Sequence, residues 1–479
     1  MSNGASEVRA ALQIVRGRLY DLHWDLRAKL AKFDLKEGLD LLAQTERWPR
    51  ARLDQMRDQK LRALVEHAYA NIPGYQQLMD ERGVKPRDIT GLSDLPKLPV
   101  MTKDILRARA DALRATDFTE DQLEKGSTGG TTGVPMKVAR DRAGTTWQRA
   151  SYWRGFGWGG LTLDRSWVQL FGGSMGYGGR RFNKLKNLFA GKVFLSAFEL
   201  GPHNVASYVE TIQRANAKFL VGYASACYQL AALVEKGGLS LSLEAVFPTA
   251  ELLPVQWSET IGRVFGAKVL PYYGCGEVQS LGYSCPESPD KIFHTCDEHA
   301  VIEVERSDGT TGREGEGAFL ITDLDNRAMP YIRYRNGDAG LLAGPGCVCG
   351  RSLGRILRLD GRVNDVLITT AGAAITGSLC AHAFRLINHV EAYQVIQRRP
   401  GQAIVRIVRG AGFEPGAEEH KIQDIFHKYL GRDADVVIEY VDAVAKTPAG
   451  KARFVINEIP NAGASLNNSV NASHPNPLG

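Results

Sequence analysis

Two groups of residues in this sequence have types and spacings that could do chemistry. The first is Ser127-Thr128-Gly129-Gly130-Thr131-Thr132-Gly133-Val134-Pro135. Glycines let the backbone turn sharply and bring N–H groups up to an anion. Hydroxyls add donors for phosphate oxygens. Gly133 leads into Val134-Pro135 rather than a Lys-Ser/Thr pair, so this is not a Walker loop. A plain surface turn would use the same residue types. The second group is Cys285, His294, Cys347 and Cys349. Three thiolates and an imidazole suit a tetrahedral structural Zn²⁺. The Cys-x-Cys pair is tighter than the usual ligand spacing, and His299 and Cys296 rival His294 as ligands. Free buried cysteines are the competing reading. Cys227, Cys275 and Cys380 read as packing residues.

These residues need a scaffold, and the sequence suggests one. Residues 11–33 and Leu61–Ile72 place apolar residues three and four apart, as helices do, until Pro73-Gly74 interrupts. From Trp167 onward, short apolar runs alternate with helical segments: WVQLFG, KVFLSAF, AKFLVGY, LEAVFPTA and AKVLPYYG. That alternation predicts a layered α/β domain. The stretch from His299 to Thr322 reads as a β-hairpin around a Gly/Asp/Thr turn. From Gly361 the pattern becomes compact and α+β. We therefore expect an α/β protein with a large N-terminal domain over 1–360 and a small mobile α+β domain over 361–460. The Asn-, Ser-, Gly- and Pro-rich residues 461–479 are expected to be disordered.

With 479 residues, 44% hydrophobic and 23% charged, the composition is that of a soluble globular protein. A net charge of +6 with mixed signs could attract phosphates but is no nucleic-acid footprint. No apolar run approaches a membrane span, and the N-terminus lacks a secretory h-region. Seven cysteines do not suggest a disulfide framework, so a cytoplasmic location fits best. A homodimer is left open.

Further motifs follow the glycine–threonine loop in order: Pro248-Thr249-Ala250-Glu251, Tyr272-Tyr273-Gly274-Cys275-Gly276-Glu277, Ala328-Met329-Pro330 through Arg333-Tyr334-Arg335-Asn336-Gly337-Asp338, Gly361-Arg362, and Lys446-Thr447-Pro448-Ala449-Gly450-Lys451. Over residues 61–456 the chain resembles the adenylate-forming superfamily of acyl-CoA synthetases and adenylation domains. Within it, the resemblance is strongest to phenylacetate-CoA ligases and their relatives in capsular polysaccharide clusters. It implies that Ser127–Gly133 bind the phosphates of ATP and that Ala250 and Glu251 form an adenine-contacting turn. It also implies that the Tyr272-Tyr273-Gly274 aromatic packs on adenine, that Glu277 binds Mg²⁺, and that Asp338 with Arg362 binds the ribose. Cys275 should then lie near the nucleotide. Lys451 is implied as the catalytic lysine. Some relatives also carry a Cys/His pair followed by Cys-x-Cys.

Attack of a carboxylate on the α-phosphate brings two anions together, so cations and donors must gather round the phosphorus. Lys451 suits this as a compact charge on a long stem, Glu277 as a hard oxygen ligand. The implied reaction makes an acyl-AMP from a small carboxylic acid, releases pyrophosphate, and passes the acyl group to coenzyme A. Delivery to an amine, hydroxyl or carrier protein, and a catalytically silent relative, stay open. Family position puts the acid near Phe171, Gly172, Gly173 and Ser174 and near Tyr223, Ala224 and Ser225. Two departures stand out. Met136 with Lys137 follows the loop where many relatives have lysine first, and Asn364 with Asp365 stands where the hinge is usually acidic.

Overall fold

The computed structural model describes residues 35–128, 136–171, 192–197, 199–288, 292–362, 366–372, 374–376, 380, 384, 387–445 and 453–459. The expected helix over 11–33, the tail 461–479 and the residues 363–365 of the expected hinge lie outside them.

The chain opens with helices α1 (Leu35–Thr45), α2 (Arg50–Asn71), α3 (Pro73–Glu81) and α4 (Lys103–Ala108). The helix over 50–71 ends just before Pro73, as expected, and a new helix starts there. Pro73 occupies the first turn of α3, where its missing N–H costs nothing. Strands β1 (Leu123–Thr128) and β2 (Met136–Asp141) pair antiparallel and flank the glycine–threonine loop. Asp141 then caps α5 (Arg142–Trp158) through the Gly144 N–H, 2.8 Å away.

A parallel five-stranded sheet follows, built from β3 (Trp167–Phe171), β4 (Lys192–Ser196), β5 (Phe219–Tyr223), β6 (Ala245–Thr249) and β7 (Lys268–Val269) in the order β4-β3-β5-β6-β7. Its crossovers carry α6 (Val205–Arg214), α7 (Ala224–Lys236) and α8 (Val255–Phe265). β5 and β6 are buried at every position. That explains why they read as unbroken apolar runs rather than alternating ones.

The second layer is an antiparallel eight-stranded sheet. Its strands are β8 (Tyr272–Tyr273), β9 (Gly282–Ser284), β10 (Phe293–Thr295), β11 (Ala300–Glu305), β12 (Thr311–Gly312), β13 (Gly315–Asp323), β14 (Tyr334–Ala343) and β15 (Arg355–Arg362), ordered β12-β11-β13-β14-β15-β10-β9-β8. α5 lies close against β9. A Cβ on Gly155 would sit 2.1 Å from the Tyr283 ring, so only glycine fits there.

After the small hairpin β16 (Val366–Ile368) and β17 (Ala374–Thr376) comes a four-stranded sheet. It contains β18 (Val390–Gln397), β19 (Gln402–Arg409), β20 (Asp435–Tyr440) and β21 (Val455–Asn457), ordered β20-β19-β18-β21, with α9 (Pro415–Leu430) packed on it. This is a large α/β part followed by a small α+β part. Their shared contact is aromatic. Trp257 of α8 is 4% exposed and belongs to the core of the small part. It stacks on Tyr228 (4.9 Å), meets the Phe454 ring (5.5 Å) and donates from Nε1 to the Glu391 carbonyl (2.9 Å).

Candidate active site and cysteine–histidine cluster

In parallel sheets, ligands collect beyond the strand carboxyl ends where neighbouring strands lead in opposite directions. Here that point lies between β3 and β5. Phe171 and Tyr223 close these strands, with their rings edge to face at 5.0 Å. Tyr223 leads into α7, whose first residues are Ala224 and Ser225. All four side chains are buried. Gly172, Gly173 and Ser174 lie outside the described residues.

The next strand, β6, ends at Thr249, and Ala250 takes a left-handed φ of 67°. A non-glycine residue holds that conformation only where its surroundings enforce it. Thr249 Oγ1 donates to the Tyr272 carbonyl at 3.1 Å. Glu251 turns back to α7, accepting from the Ser225 N–H (2.7 Å) and hydroxyl (3.1 Å). The turn expected to meet adenine thus caps the helix beside the expected acid pocket.

Tyr273 and Asp338 meet across the eight-stranded sheet. The Tyr273 hydroxyl donates to Asp338 Oδ2 at 2.8 Å. Asn336 Nδ2 reaches both that oxygen (2.6 Å) and the Tyr273 oxygen (2.8 Å), while Asn336 Oδ1 accepts the Asp338 N–H (3.0 Å). Gly337, at φ 90°, makes the reversal between them possible. Burial, then the Asp338 charge, push the Tyr273 phenol well above its ordinary range, so it stays a donor. Tyr273 is buried and committed to Asp338. Tyr272 is only partly buried and stacks on Tyr283 at 5.5 Å. The β14–β15 register sets the Arg362 backbone opposite Asp338.

Glu277 is 7% exposed, and its Oε1 accepts the Tyr334 hydroxyl at 2.9 Å. Arg140, leaving β2, donates to the Gly276 and Glu277 carbonyls at 2.8 and 2.7 Å. One guanidinium therefore ties the end of the glycine–threonine hairpin to the loop that presents Glu277. Cys275 hydrogen-bonds Val278, and burial raises its thiol far above the usual range, which leaves it unreactive. Residues 129–135 and 446–452, with Lys451 among them, lie outside the described residues. So do the side chains of Ser127, Thr128, Met136, Lys137 and Arg362.

The cysteine–histidine cluster forms where the β9–β10 and β14–β15 turns come together at one end of the interior strands of the eight-stranded sheet. Cys285 follows β9 and closes its turn through an N–H bond to the Ile292 carbonyl (2.9 Å), and His294 sits on β10. Cys347 and Cys349 lie in the β14–β15 turn, held by the Gly350 N–H on the Cys347 carbonyl (3.1 Å). β10 and β15 are neighbours, which brings the four residues together. All four ligand atoms lie within 4.8 Å of one another. Cys285 and Cys347 sulfurs are 3.8 Å apart, and His294 Nε2 is 3.1 Å from Cys349 Sγ. A tetrahedron with metal–sulfur bonds of ~2.3 Å has a sulfur–sulfur edge of about 3.8 Å. Burial, helped by Arg351 and Arg154, lowers the His294 pKa to about 4, so the imidazole is neutral as a ligand must be. Burial opposes ionisation of Cys349, but the Arg351 N–H, Cys347 and the Arg351 guanidinium outweigh it and lower its pKa. Arg351 also binds Glu46 (3.2 Å) and Glu287 (3.1 Å), anchoring the cluster to the turn between α1 and α2.

The rival residues are engaged elsewhere. Cys296 packs in the core of the parallel sheet. His299 meets Asp325 at 2.8 Å and the Gln279 carbonyl at 3.2 Å. His299, Asp323 and Asp325 converge closely enough for a metal. There, however, the Lys60 ammonium already sits 2.6 Å from Asp325, and a cation fills the place of an ion.

Residues 367–458 match the CapK C-terminal domain family. The chain is 28% identical over 374 residues to a phenylacetate-coenzyme A ligase of Thermus thermophilus, covering 75% of this chain and 81% of the relative. Over most of its length the chain is thus similar to phenylacetate-coenzyme A ligases. Protein CapK of Staphylococcus aureus is 23% identical over 85% of this chain and 90% of its own. Among solved structures, 2-hydroxyisobutyryl-CoA ligase in the postadenylation state with 2-HIB-AMP superimposes with a TM-score of 0.70 at 19% identity, over 89% of this chain and 93% of that one. The same ligase in the thioesterification state gives 0.56 over the same shares.

Sequence reasoning gave no role to Tyr334 or Asn336, although both lie inside the segment ending at Asp338. It missed Arg140 and Trp257 altogether, whose partners are 136 and 134 residues away. No local pattern announces such pairs.

Proposed function

We propose that this protein activates a small carboxylic acid with ATP, forming an acyl-AMP and pyrophosphate, and then transfers the acyl group to coenzyme A. It is an AMP-forming acid–thiol ligase of the phenylacetate-CoA ligase type. The observation that carries the reading is the pair of braced carboxylates. Asp338 is fixed by Tyr273 and Asn336, and Glu277 by Tyr334, on adjoining elements of one family fold. In this reading Asp338 accepts the ribose hydroxyls, assisted by Arg362 opposite. The Ser127–Gly133 loop donates to the phosphates, and Ala250 and Glu251 with Tyr272, Tyr273 and Gly274 border the base. The acid lies by Phe171, Gly172, Ser174, Tyr223 and Ala224.

Glu277 would hold Mg²⁺: a buried carboxylate with one oxygen fixed by a hydroxyl leaves the other as a hard ligand, and ATP phosphates complete the shell. Such an ion would offset the phosphate charge. Lys451, carried by the small part, would stabilise charge building on the α-phosphate and the attacking carboxylate. Rotation of that part about residues 362–365 would then withdraw the lysine and admit the thiol. Cys285, His294, Cys347 and Cys349 would hold one Zn²⁺. Four protein ligands leave no open position, so its role would be to fasten two turns.

The test follows pyrophosphate release with ATP and a panel of acids, with and without CoA. Acid-dependent release with CoA-dependent thioester is the expected result. Release without thioester would move the acceptor elsewhere, and no release with any acid would overturn the reading. Lys451→Ala should abolish most acyl-AMP formation while sparing thioester formation from synthetic acyl-AMP. An equal fall in both half-reactions would refute the role given to Lys451.

A further inference from the structure

At the far end of β14 from Asp338, a cavity of about 420 Å³ opens between α2 and the eight-stranded sheet. Ala343 on its wall lies five positions along β14 from Asp338, roughly 16 Å along a strand, so the cavity is distinct from the nucleotide site. Five guanidinium groups line it: Arg50, Arg57, Arg306, Arg313 and Arg355. Three carboxylates accompany them, Asp54, Asp297 and Glu314, leaving two positive charges in excess.

The pairing is uneven. Asp54 and Asp297 are taken up by Arg50 and Arg57: Arg50 lies 2.9 Å from Asp54 and also bonds Asp297, and Arg57 is 2.8 Å from Asp54. The other three arginines keep their charge. Arg306 bonds the Glu314 carbonyl (2.8 Å) and the Thr310 hydroxyl (3.5 Å). Arg355 bonds the carbonyls of Gly344 (2.7 Å), Gly346 (3.2 Å) and Pro345 (3.4 Å). Carbonyls orient a guanidinium without neutralising it. Arg313 reaches Asp54 only at 3.6 Å. Within the wall, the side chain of Arg57 is 3% exposed and its Nε has no hydrogen-bond partner. That nitrogen is shut off from the cavity as well as from solvent, so the cavity-facing charge comes from the guanidinium groups whose partners are carbonyls.

We propose that this cavity binds a phosphate monoester. Guanidinium groups match phosphate oxygens in charge and in forked geometry. Two excess positive charges match a dianion. Ile302, Leu342 and Pro345 add apolar wall for the organic body of the ligand. The volume is in the range of small-molecule sites. Two sources offer this chemistry: a free phosphorylated metabolite and the 3′-phosphate of coenzyme A.

Calorimetric titration with inorganic phosphate and with adenosine 3′,5′-bisphosphate, at fixed ionic strength set by chloride, tests the site. The comparison is wild type against Arg306→Gln/Arg313→Gln. Arg313 is 43% exposed with one long ion pair, and Arg313→Gln alone serves as the variant with least risk to folding. Both probes should bind wild type, and the double variant should bind them at least tenfold more weakly, with the KM for ATP unchanged. Equal binding by wild type and variants, or none by wild type, would overturn the proposal. The source is then read from steady-state kinetics. A raised KM for coenzyme A but not for dephospho-coenzyme A in the double variant assigns the site to the cofactor's 3′-phosphate. Unchanged values for both assign it to a separate metabolite. That arm alone rests on coenzyme A being the acceptor, and the titrations stand without it.

Discussion

Trp257→Ala should uncouple the two half-reactions. The indole holds the small part against α8 by two contacts that cannot survive a rotation: its Nε1 bond to the Glu391 carbonyl and its packing on Phe454. Its stack on Tyr228 lies within the large part and stays in either arrangement. A hydrogen bond contributes ~1 kcal/mol net, and an aromatic pair about 0.5–1.5 kcal/mol beyond area burial. Together they favour the docked arrangement by about 2 kcal/mol, or roughly 30-fold in population. The variant should therefore form acyl-AMP up to ~30-fold more slowly by that same population argument. Thioester formation from synthetic acyl-AMP should hold or rise. Trp257→Phe keeps a ring and loses only the N–H, so its effect should be about fivefold, from ~1 kcal/mol. Pyrophosphate exchange reads the first half-reaction, and thioester release from added acyl-AMP the second. Thermal unfolding excludes a plain loss of fold. Equal losses in both half-reactions with a native melting temperature, or no loss in either, would refute the reasoning.

Tyr334→Phe removes the hydroxyl that fixes Glu277, a bond to a charged group worth about 1.5–3 kcal/mol, so the Mg²⁺ concentration for half-maximal activity should rise at least ~10-fold. An unchanged Mg²⁺ titration would disconnect Glu277 from the ion. Elemental analysis should find one zinc per chain, lost in Cys349→Ser together with several degrees of thermal stability; a metal-free wild type would end the zinc reading. The His299 result depends on pH. Burial lowers its pKa, but Asp323 and Asp325 more than reverse this despite Lys60, and the folded value is raised. Its contribution to stability is therefore full below the unfolded pKa of about 6.5 and is lost as pH rises through the folded value. The melting-temperature gap between wild type and His299→Gln should narrow from pH 6 to pH 9. A constant gap would show that the imidazole does not titrate.

Elements were legible where one local signal dominates. The all-buried strands β5 and β6 declared themselves as apolar runs, and β18 to β20 with α9 followed the alternation of patterns after Gly361. The Cys and His positions could be paired because thiols and imidazoles are few. Hydrogen-bond partners were not legible. The bond from the Tyr273 hydroxyl to Asp338 was not foreseen, because sequence gives no view of which side chains face each other across a sheet. Glu251 as the cap of α7 and Arg140 as a tie between two loops are likewise products of chain crossing. The expected roles of Lys451 and of residues 129–133 concern segments outside the described residues.

Gly155 has a reach well beyond its size. The α5 backbone rests on the Tyr283 ring, Tyr283 lies parallel to Tyr272, and Tyr272 leads directly into Tyr273 and the Glu277 loop. One methyl group at position 155 would overlap the first ring and be handed along the column to the loop, some distance from any reacting atom. The same column makes the large part a stiff anvil. With no slack between helix backbone and loop, the proposed rotation is left to the small part.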